Sequence, residues 1–519
     1  MVPLINTKMK TFQLGALKYT VSMVILVFGL ASCRQIQNTS PKETQTKAEI
    51  YDSYISELHA RGQFNGNALI IENGKIVYQG AFGLANYEPI DSLKLNGVFR
   101  LGSVSKQFTA MGIMILKEAG KLTYEQDIRA FLPELPYQGI TIRHLLNHTS
   151  GLPDYSRIMD QHWKNDLAYD DPERFISGNE DVLQMLCEYK PPVHFKPGEK
   201  WEYSNTGYNL LATLISRVSA MPFNAFMQEK VFGPAKMSNA CVYQYMPGFD
   251  DKMPNRVFGF GTKFNGNDKF STDAHYLNNA KGEGGVYATL EDLTKWDRVL
   301  YTDLLVSKQT MEEAFTPGIL NNGNRTDYGL GWFISKSPNG KKVVKHKGGW
   351  AGFLTNIYRE IEEENCIITL TNNNSRYFNI EEGLIDILHN KPPRYPKIFI
   401  ADVFGKKVQD EGIVAAIAYY KKLKAEQFDN YVFNEYELNF LGYELLEDKK
   451  VNEALAVFKL NKEAYPNSAN VYDSYGDALL EKGDTVNALI NFKKVKALDA
   501  EFFGIHEKIE KYASPKNSQ

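Results

Sequence analysis

Cysteine is scarce in this chain. Four stand among 519 residues, at positions 33, 187, 241 and 366, too few and too widely spaced for a disulfide framework or a metal knuckle. An excess of one charge is also missing. Fifty-nine Lys and Arg face 62 Asp and Glu, for a formal net charge of −3, and no basic block stands out, which argues against a nucleic-acid partner. Histidine is sparse as well, and the one pair at helical ligand spacing, His144 and His148 in HLLNH, lacks the Glu that a zinc-protease helix carries after its first His. Both histidines are read as structural, and no metal or cofactor is expected. What the chain has in quantity is core-forming material. With 43% hydrophobic and 13% aromatic residues it reads as globular, and it is long enough for two or more domains.

Residues 1–33 stand apart from that core. Lys8, Lys10 and Lys18 precede the apolar run TVSMVILVFGLA (Thr20–Ala31) and then Ser32 and Cys33. A basic start, a short apolar stretch and small residues make an export signal, and the run is short for a membrane span of about 20 residues. The ending LASC resembles a bacterial lipobox, which implies cleavage before Cys33 and lipidation of its thiol. Acyl chains would then hold the protein on a bacterial membrane, facing the periplasm or the cell surface. Residues 34–47 contain no aromatics and read as a tether. The three cysteines left after cleavage are read as core thiols.

The main body spans 48–391. NALIIENGKIVYQGAFG (Asn67–Gly83) reads as a hairpin turning at Asn-Gly. A helix is expected over Ser103–Ala119, stopped by Gly120. KKVVKHKGGWAGFLTNIYRE and NCIITLTNNN read as two strands of one antiparallel sheet. Strands from both ends with helices between predict an α/β (α+β) body, one sheet with a largely helical insertion.

Within that frame RLGSVSKQFTAM (100–111) places Ser103 three residues before Lys106, close enough for Oγ and Nζ to meet. A serine hydroxyl is a poor nucleophile until something takes its proton, and a lysine can do so once desolvation leaves it neutral. GSVSKQFTA resembles the SxxK motif of serine β-lactamases, penicillin-binding peptidases and related esterases. WEYSNTGYNLL supplies the Tyr-x-Asn motif of the class C and D,D-peptidase branch as Tyr203 and Asn205. HKGGWAGF supplies the third motif, His-x-Gly, as His346 and Gly348. The motifs come in the family's order, and RHLLNHTSGLPDY (Arg143–Tyr155) extends the similarity over nearly the whole body.

The resemblance implies an acyl-enzyme at Ser103, with Lys106 as general base and Tyr203 passing protons to the leaving group. It also implies that Asn205 holds Lys106 and the substrate amide, that His346 lines the cleft, and that the N–H groups of Ser103 and Gly349 form an oxyanion hole. His346 departs from the best-known lactamases, which keep a lysine there, so an esterase, amidase or D-amino-acid peptidase is expected ahead of a class C-like β-lactamase. The substrate would be a small molecule or a peptidoglycan-derived peptide. A slowly acylating penicillin- or peptidoglycan-binding sensor is the alternative.

The C-terminal part is a separate object. Residues 392–434 read as a linker with a docking helix, 435–502 as two tetratricopeptide-like repeats, and 503–519 as a closing helix and tail. At an offset of 34, Gly442 aligns with Gly476, Ala454 with Ala488 and Phe458 with Phe492. Such repeats either bind a protein or peptide partner or brace the enzyme. Bracing is favoured, because PPRYPKIFIADVFG carries more apolar surface than a free linker leaves in water.

Overall fold

The computed structural model describes residues 45–163, 177–244, 253–373 and 376–513. The expected signal, the expected lipidation site Cys33 and nearly all of the tether lie outside the described residues.

The sheet of the body is assembled from both ends of the chain. Strands β1 (Gly66–Glu72) and β2 (Lys75–Phe82) form the expected hairpin, with Asn73 and Gly74 at positive φ in the turn. Strands β3 (Phe333–Lys336), β4 (Lys342–Trp350), β5 (Phe353–Glu360) and β6 (Asn365–Thr371) follow late in the chain. The antiparallel order is β3-β4-β5-β6-β1-β2, so β6 returns to pair with β1. The late segments therefore give three strands of this sheet where two were expected. KKVVKHKGGWAGFLTNIYRE folds back on itself at Ala351 and Gly352, both at positive φ, and only a single glycine marks that turn in the sequence.

Both faces of the sheet are buried. Along β1, Leu69 and Ile71 join the large core on one side while Ala68 and Ile70 join a second core on the other. Alternation along a strand explains the split. The second core is closed by α1 (Lys47–Ala60), capped by Thr46 and Glu49 in a reciprocal box, and by α5 (Glu381–Leu388). The other face carries α2 (Lys106–Glu118), α3 (Tyr155–His162) and α4 (Asn205–Ser219). Among the cysteines, Cys366 is buried as expected, whereas Cys187 and Cys241 are only half-buried.

Beyond Lys391 the chain does not leave the body. Helix α6 (Ile400–Glu426) breaks at Gly412, whose φ of 82° and ψ of 168° are not helical. Its Ile400, Ala401 and Phe404 are buried. Arg376 of the body donates to Asp402 of α6 and to Glu437 of α7 (Glu435–Glu447). Lys263 pairs with Asp448, and the Phe264 N–H donates to Glu444 Oε1 at 2.7 Å.

Two helical hairpins follow. The first joins α7 to α8 (Val451–Ala464), the second joins α9 (Ala469–Glu481) to α10 (Thr485–Leu498), and α11 (Ile505–Ala513) closes the stack. The 34-residue offset reappears as packing. Gly442 lies so close to Phe458, and Gly476 so close to Phe492, that a Cβ at either glycine would sit 2.4 Å from the ring. Lys508 of α11 is held between Asp473 and Asp477 of α9.

Candidate active site

Leu101 follows the short extended segment Phe99–Arg100, and Gly102–Ser105 form a 3₁₀ turn that leads directly into α2. The helix therefore starts at Lys106 rather than at Ser103. In a 3₁₀ turn residues three apart eclipse each other, and Lys106 Nζ still lies 3.1 Å from Ser103 Oγ. Gly102 is at φ 52°, and a Cβ there would sit 2.9 Å from the Gly349 nitrogen. A Cβ on Gly348 would meet the Leu101 carbonyl oxygen at 2.0 Å. Only glycines let the serine turn and the third motif approach this closely.

Gly349 itself faces open space. Trp350 and Phe353 close the β4–β5 hairpin, so Gly349 and Leu354 oppose each other at a non-hydrogen-bonded position. The Gly349 N–H therefore points away from β5, and β3 pairs β4 only as far as Lys345.

Lys106 is completely buried, yet none of its three polar partners is a carboxylate. Besides Ser103, Nζ meets Asn205 Oδ1 at 2.8 Å and the backbone carbonyl of Glu283 at 3.0 Å. The latter two can only accept. A neutral amine has two N–H donors and one lone pair, so this geometry fills both donors and leaves the lone pair facing the Ser103 hydroxyl. Burial pulls the Lys106 pKa down to about 7, against the opposing pull of Glu283 and Asp154. Tyr203 moves the other way, because burial lifts its phenol well above the usual tyrosine range. Near neutral pH the lysine gives up its proton readily and the tyrosine keeps its own. The Tyr203 ring lies 4.8 Å from Nζ.

Asn205 is oriented by a residue to which the sequence analysis assigns no role. Asp154 Oδ2 accepts from both the backbone N–H and the Nδ2–H of Asn205, each at 2.9 Å, which turns Oδ1 towards Lys106. The next residue, Tyr155, donates to Glu283 Oε1 at 2.7 Å. Glu283 sits in the KGEGG loop, which is pinned by Thr109 Oγ1 donating to the Gly282 carbonyl. No local pattern marks Glu283, because its partners lie more than a hundred residues away. Asp154 and Tyr155 fall inside the Arg143–Tyr155 stretch, so that stretch is the signal that could have found them.

His346 differs from its expected place. It is buried, at 2% exposure, and does not stand on an open cleft wall. Nδ1 lies 2.6 Å from the Lys347 carbonyl oxygen, and Nε2 lies 3.0 Å from the Tyr328 hydroxyl. The first contact requires Nδ1–H, so Nε2 accepts. Burial, with the nearby Lys106, pushes its pKa down to about 3. Lys347 points to the opposite face, where it pairs with Glu381 at 2.6 Å and donates to Asn379 Oδ1. Neither position offers the cleft a fixed positive charge.

The histidine pair of HLLNH is structural. His144 Nδ1 accepts from the Thr141 N–H, while His148 is buried among Tyr203, Tyr208 and Tyr328.

A model of the beta-lactamase family matches residues 51–388, the span that carries this whole constellation. The chain belongs to the beta-lactamase family. It is 38% identical over 335 residues to penicillin-binding protein 4* of Bacillus subtilis, which covers 63% of this chain and 72% of that protein. It is 22% identical over 330 residues to a D-aminopeptidase of Gluconobacter oxydans, covering 62% and 59%.

Among solved structures, a penicillin-binding protein from Bacillus halodurans shares the fold. Its TM-score is 0.55 at 24% identity, over 66% of this chain and 98% of that one. A D-amino acid amidase from Ochrobactrum anthropi, solved with D-phenylalanine, superposes with a TM-score of 0.53 at 20% identity, over 66% and 98%. The protein is thus a beta-lactamase-fold member of the serine hydrolases that include penicillin-binding proteins and D-aminopeptidases.

Proposed function

We propose that the protein hydrolyses an ester or amide without a carboxylate, with D-amino-acid amides as the leading class, through an acyl-enzyme on Ser103. The observation that carries this reading is the clamp on Lys106. Two acceptors fix the amine, and its lone pair faces Ser103 Oγ. The base takes the hydroxyl proton as Oγ attacks the carbonyl carbon, and the N–H groups of Ser103 and Gly349 receive the oxyanion. Tyr203, still protonated, then gives its proton to the leaving oxygen or nitrogen and is reprotonated through Lys106. Water later attacks the acyl carbon and Ser103 leaves with a proton. The names of the D-aminopeptidase and D-amino acid amidase relatives support the substrate class. Binding of a substrate carboxylate at the third motif is disfavoured, because His346 is neutral and buried and Lys347 is turned away. Turnover should accordingly be faster on D-phenylalanine amide and small esters than on penicillins, and hydrolysis of penicillin alone would contradict this reading.

We further propose that the protein is exported and held by a lipid on Cys33, so that labelled palmitate incorporation should disappear in Cys33→Ser. We read the two hairpins as tetratricopeptide-type repeats. Between α8, α9 and α10 lies a groove of about 750 Å³ lined by Lys459, Lys462, Lys482 and Lys494 around Tyr472 and Tyr475, with Asp484 as the single carboxylate in the lining. Among the described residues these lysines have no carboxylate ion pair, so an acidic peptide is the partner this surface fits. Reversing Lys462 and Lys494 to Glu should abolish binding of a fluorescent poly-glutamate peptide, and unchanged binding would refute the assignment.

A further inference from the structure

Glu283 is a buried acid that the mechanism above does not use. Its Oε1 accepts from Tyr155, but Oε2 is fully buried and has no hydrogen-bond partner. An ionised carboxylate with an orphaned buried oxygen is costly unless a charge nearby compensates it. The same residue's backbone carbonyl touches Lys106 Nζ at 3.0 Å, and its carboxyl interacts electrostatically with the amine without forming a direct ion pair. The loop has little freedom to carry the acid away. A Cβ on Gly282 would meet the Tyr208 carbonyl oxygen at 2.2 Å, and the Val286 N–H is tied to Ser105 Oγ.

We propose that Glu283 is a positioning residue for Lys106, its buried carboxyl setting how readily the amine releases and retakes a proton. This rests on the reading of Lys106 as the base for Ser103. With Glu283 ionised, the pair is most stable as ammonium and carboxylate. With Glu283 neutral, the lysine is the free amine that Ser103 needs. Only the proton moves between the two forms, and no bond to carbon is made or broken. Burial raises the affinity of Glu283 for its proton, and the two groups pull on each other in opposite directions. An acid here keeps the base from becoming too weak. A lysine depressed solely by burial would be neutral at neutral pH but a poorer proton acceptor, whereas catalysis is best when the pKa lies near the working pH.

Other groups also face the pair. From the segment around α3 come Asp154, bound to Asn205, and Tyr155; Tyr203 and Tyr208 come from the start of α4. His148 and His346 are both held neutral by burial, and Arg100 donates to Asn278. Asp154 is already satisfied by three donors. Glu283 is therefore the carboxyl among these with an unpaired buried oxygen, and it belongs to the residue whose backbone carbonyl holds the amine.

The test uses Glu283→Gln in the full-length protein, which keeps an acceptor for Tyr155 and removes the charge. Lys106 is titrated by carbon NMR of ε-labelled lysine, assigned with Lys106→Met, while the pH profile of fluorophosphonate labelling is recorded alongside. In Glu283→Gln the lysine midpoint should fall by roughly one pH unit, the lower end of what one neighbouring charge produces. The acid limb of labelling should move with it, and the high-pH plateau should drop a few-fold. Tyr155→Phe, which strips the carboxylate of its donor, should shift the midpoint the same way by less, and it serves if Glu283→Gln does not fold. A midpoint unmoved in the folded variant overturns the proposal whatever the labelling does. A midpoint that moves in a protein whose serine is never labelled supports the proposal and overturns the hydrolase reading instead.

Discussion

Replacing Lys106 by methionine should abolish the chemistry and make the stability difference from wild type depend on pH, the relief of a buried ammonium being set against the loss of the charge that compensates Glu283. Lys106 is buried, and its pKa falls from 10.5 to about 7 on folding. Below about pH 7 the lysine is charged in both the native and the unfolded chain, so native wild type bears the full cost of a buried ammonium. Between about pH 7 and 10.5 the unfolded lysine is protonated and the native one is not, and the cost shrinks as pH rises. Above that window it is gone. One pKa unit is worth about 1.4 kcal/mol, so the whole effect is on the order of 5 kcal/mol, and about 2 to 3 kcal/mol of it should be lost between about pH 6 and pH 9. Methionine fills similar volume without a charge. Urea unfolding of wild type and Lys106→Met at the two pH values measures this. Relative to wild type, the variant should stand higher at pH 6 than at pH 9. A gap that is flat with pH, or that grows as pH rises, would refute the assignment of a depressed lysine.

Asp154→Asn should slow acylation about 10- to 100-fold with KM little changed, because a swung Asn205 amide no longer holds the base in line; stopped-flow acylation by an activated ester reads this directly. Arg376→Gln should lower stability by about 2 to 4 kcal/mol, since Glu437 is buried at 3% exposure and would lose its cation. Limited proteolysis should leave the stretch between Lys391 and Gly412 uncut while the body is folded, because Ile400, Ala401 and Phe404 are buried there. Rapid release of two stable fragments would contradict the bracing role.

The parts that could be read from the sequence are those in which chemistry and geometry share a short window. Ser103 and Lys106 are three residues apart, and Tyr203 and Asn205 are two apart, so each pair declares itself. The Asn73-Gly74 turn could be read for the same reason, since Asn-Gly suits a tight hairpin. The third late strand was hidden because Ala351-Gly352 is a weaker turn signal inside a continuous β-rich run. Asp154 and Glu283 were not legible as parts of the site. Each acts through a partner that only the tertiary fold brings near, and a single acid in a loop has no periodicity to betray it. Alternation along a strand requires that His346 and Lys347 face opposite ways. It did not show that His346 would be sealed behind Tyr328, a residue joined to it only by the closing of the sheet.

The central claim is that Ser103 is the nucleophile and that Lys106, as a neutral amine, is its base. Intact-mass spectrometry after exposure to a fluorophosphonate tests it in one set of spectra. Wild type should gain one adduct, on the peptide containing Ser103, with a rate that rises through about pH 7. Ser103→Ala should gain none, and Lys106→Arg, whose guanidinium stays protonated, should react at least about 100-fold more slowly. An adduct on Ser150 or Ser204, or near-normal labelling of Lys106→Arg, would contradict it.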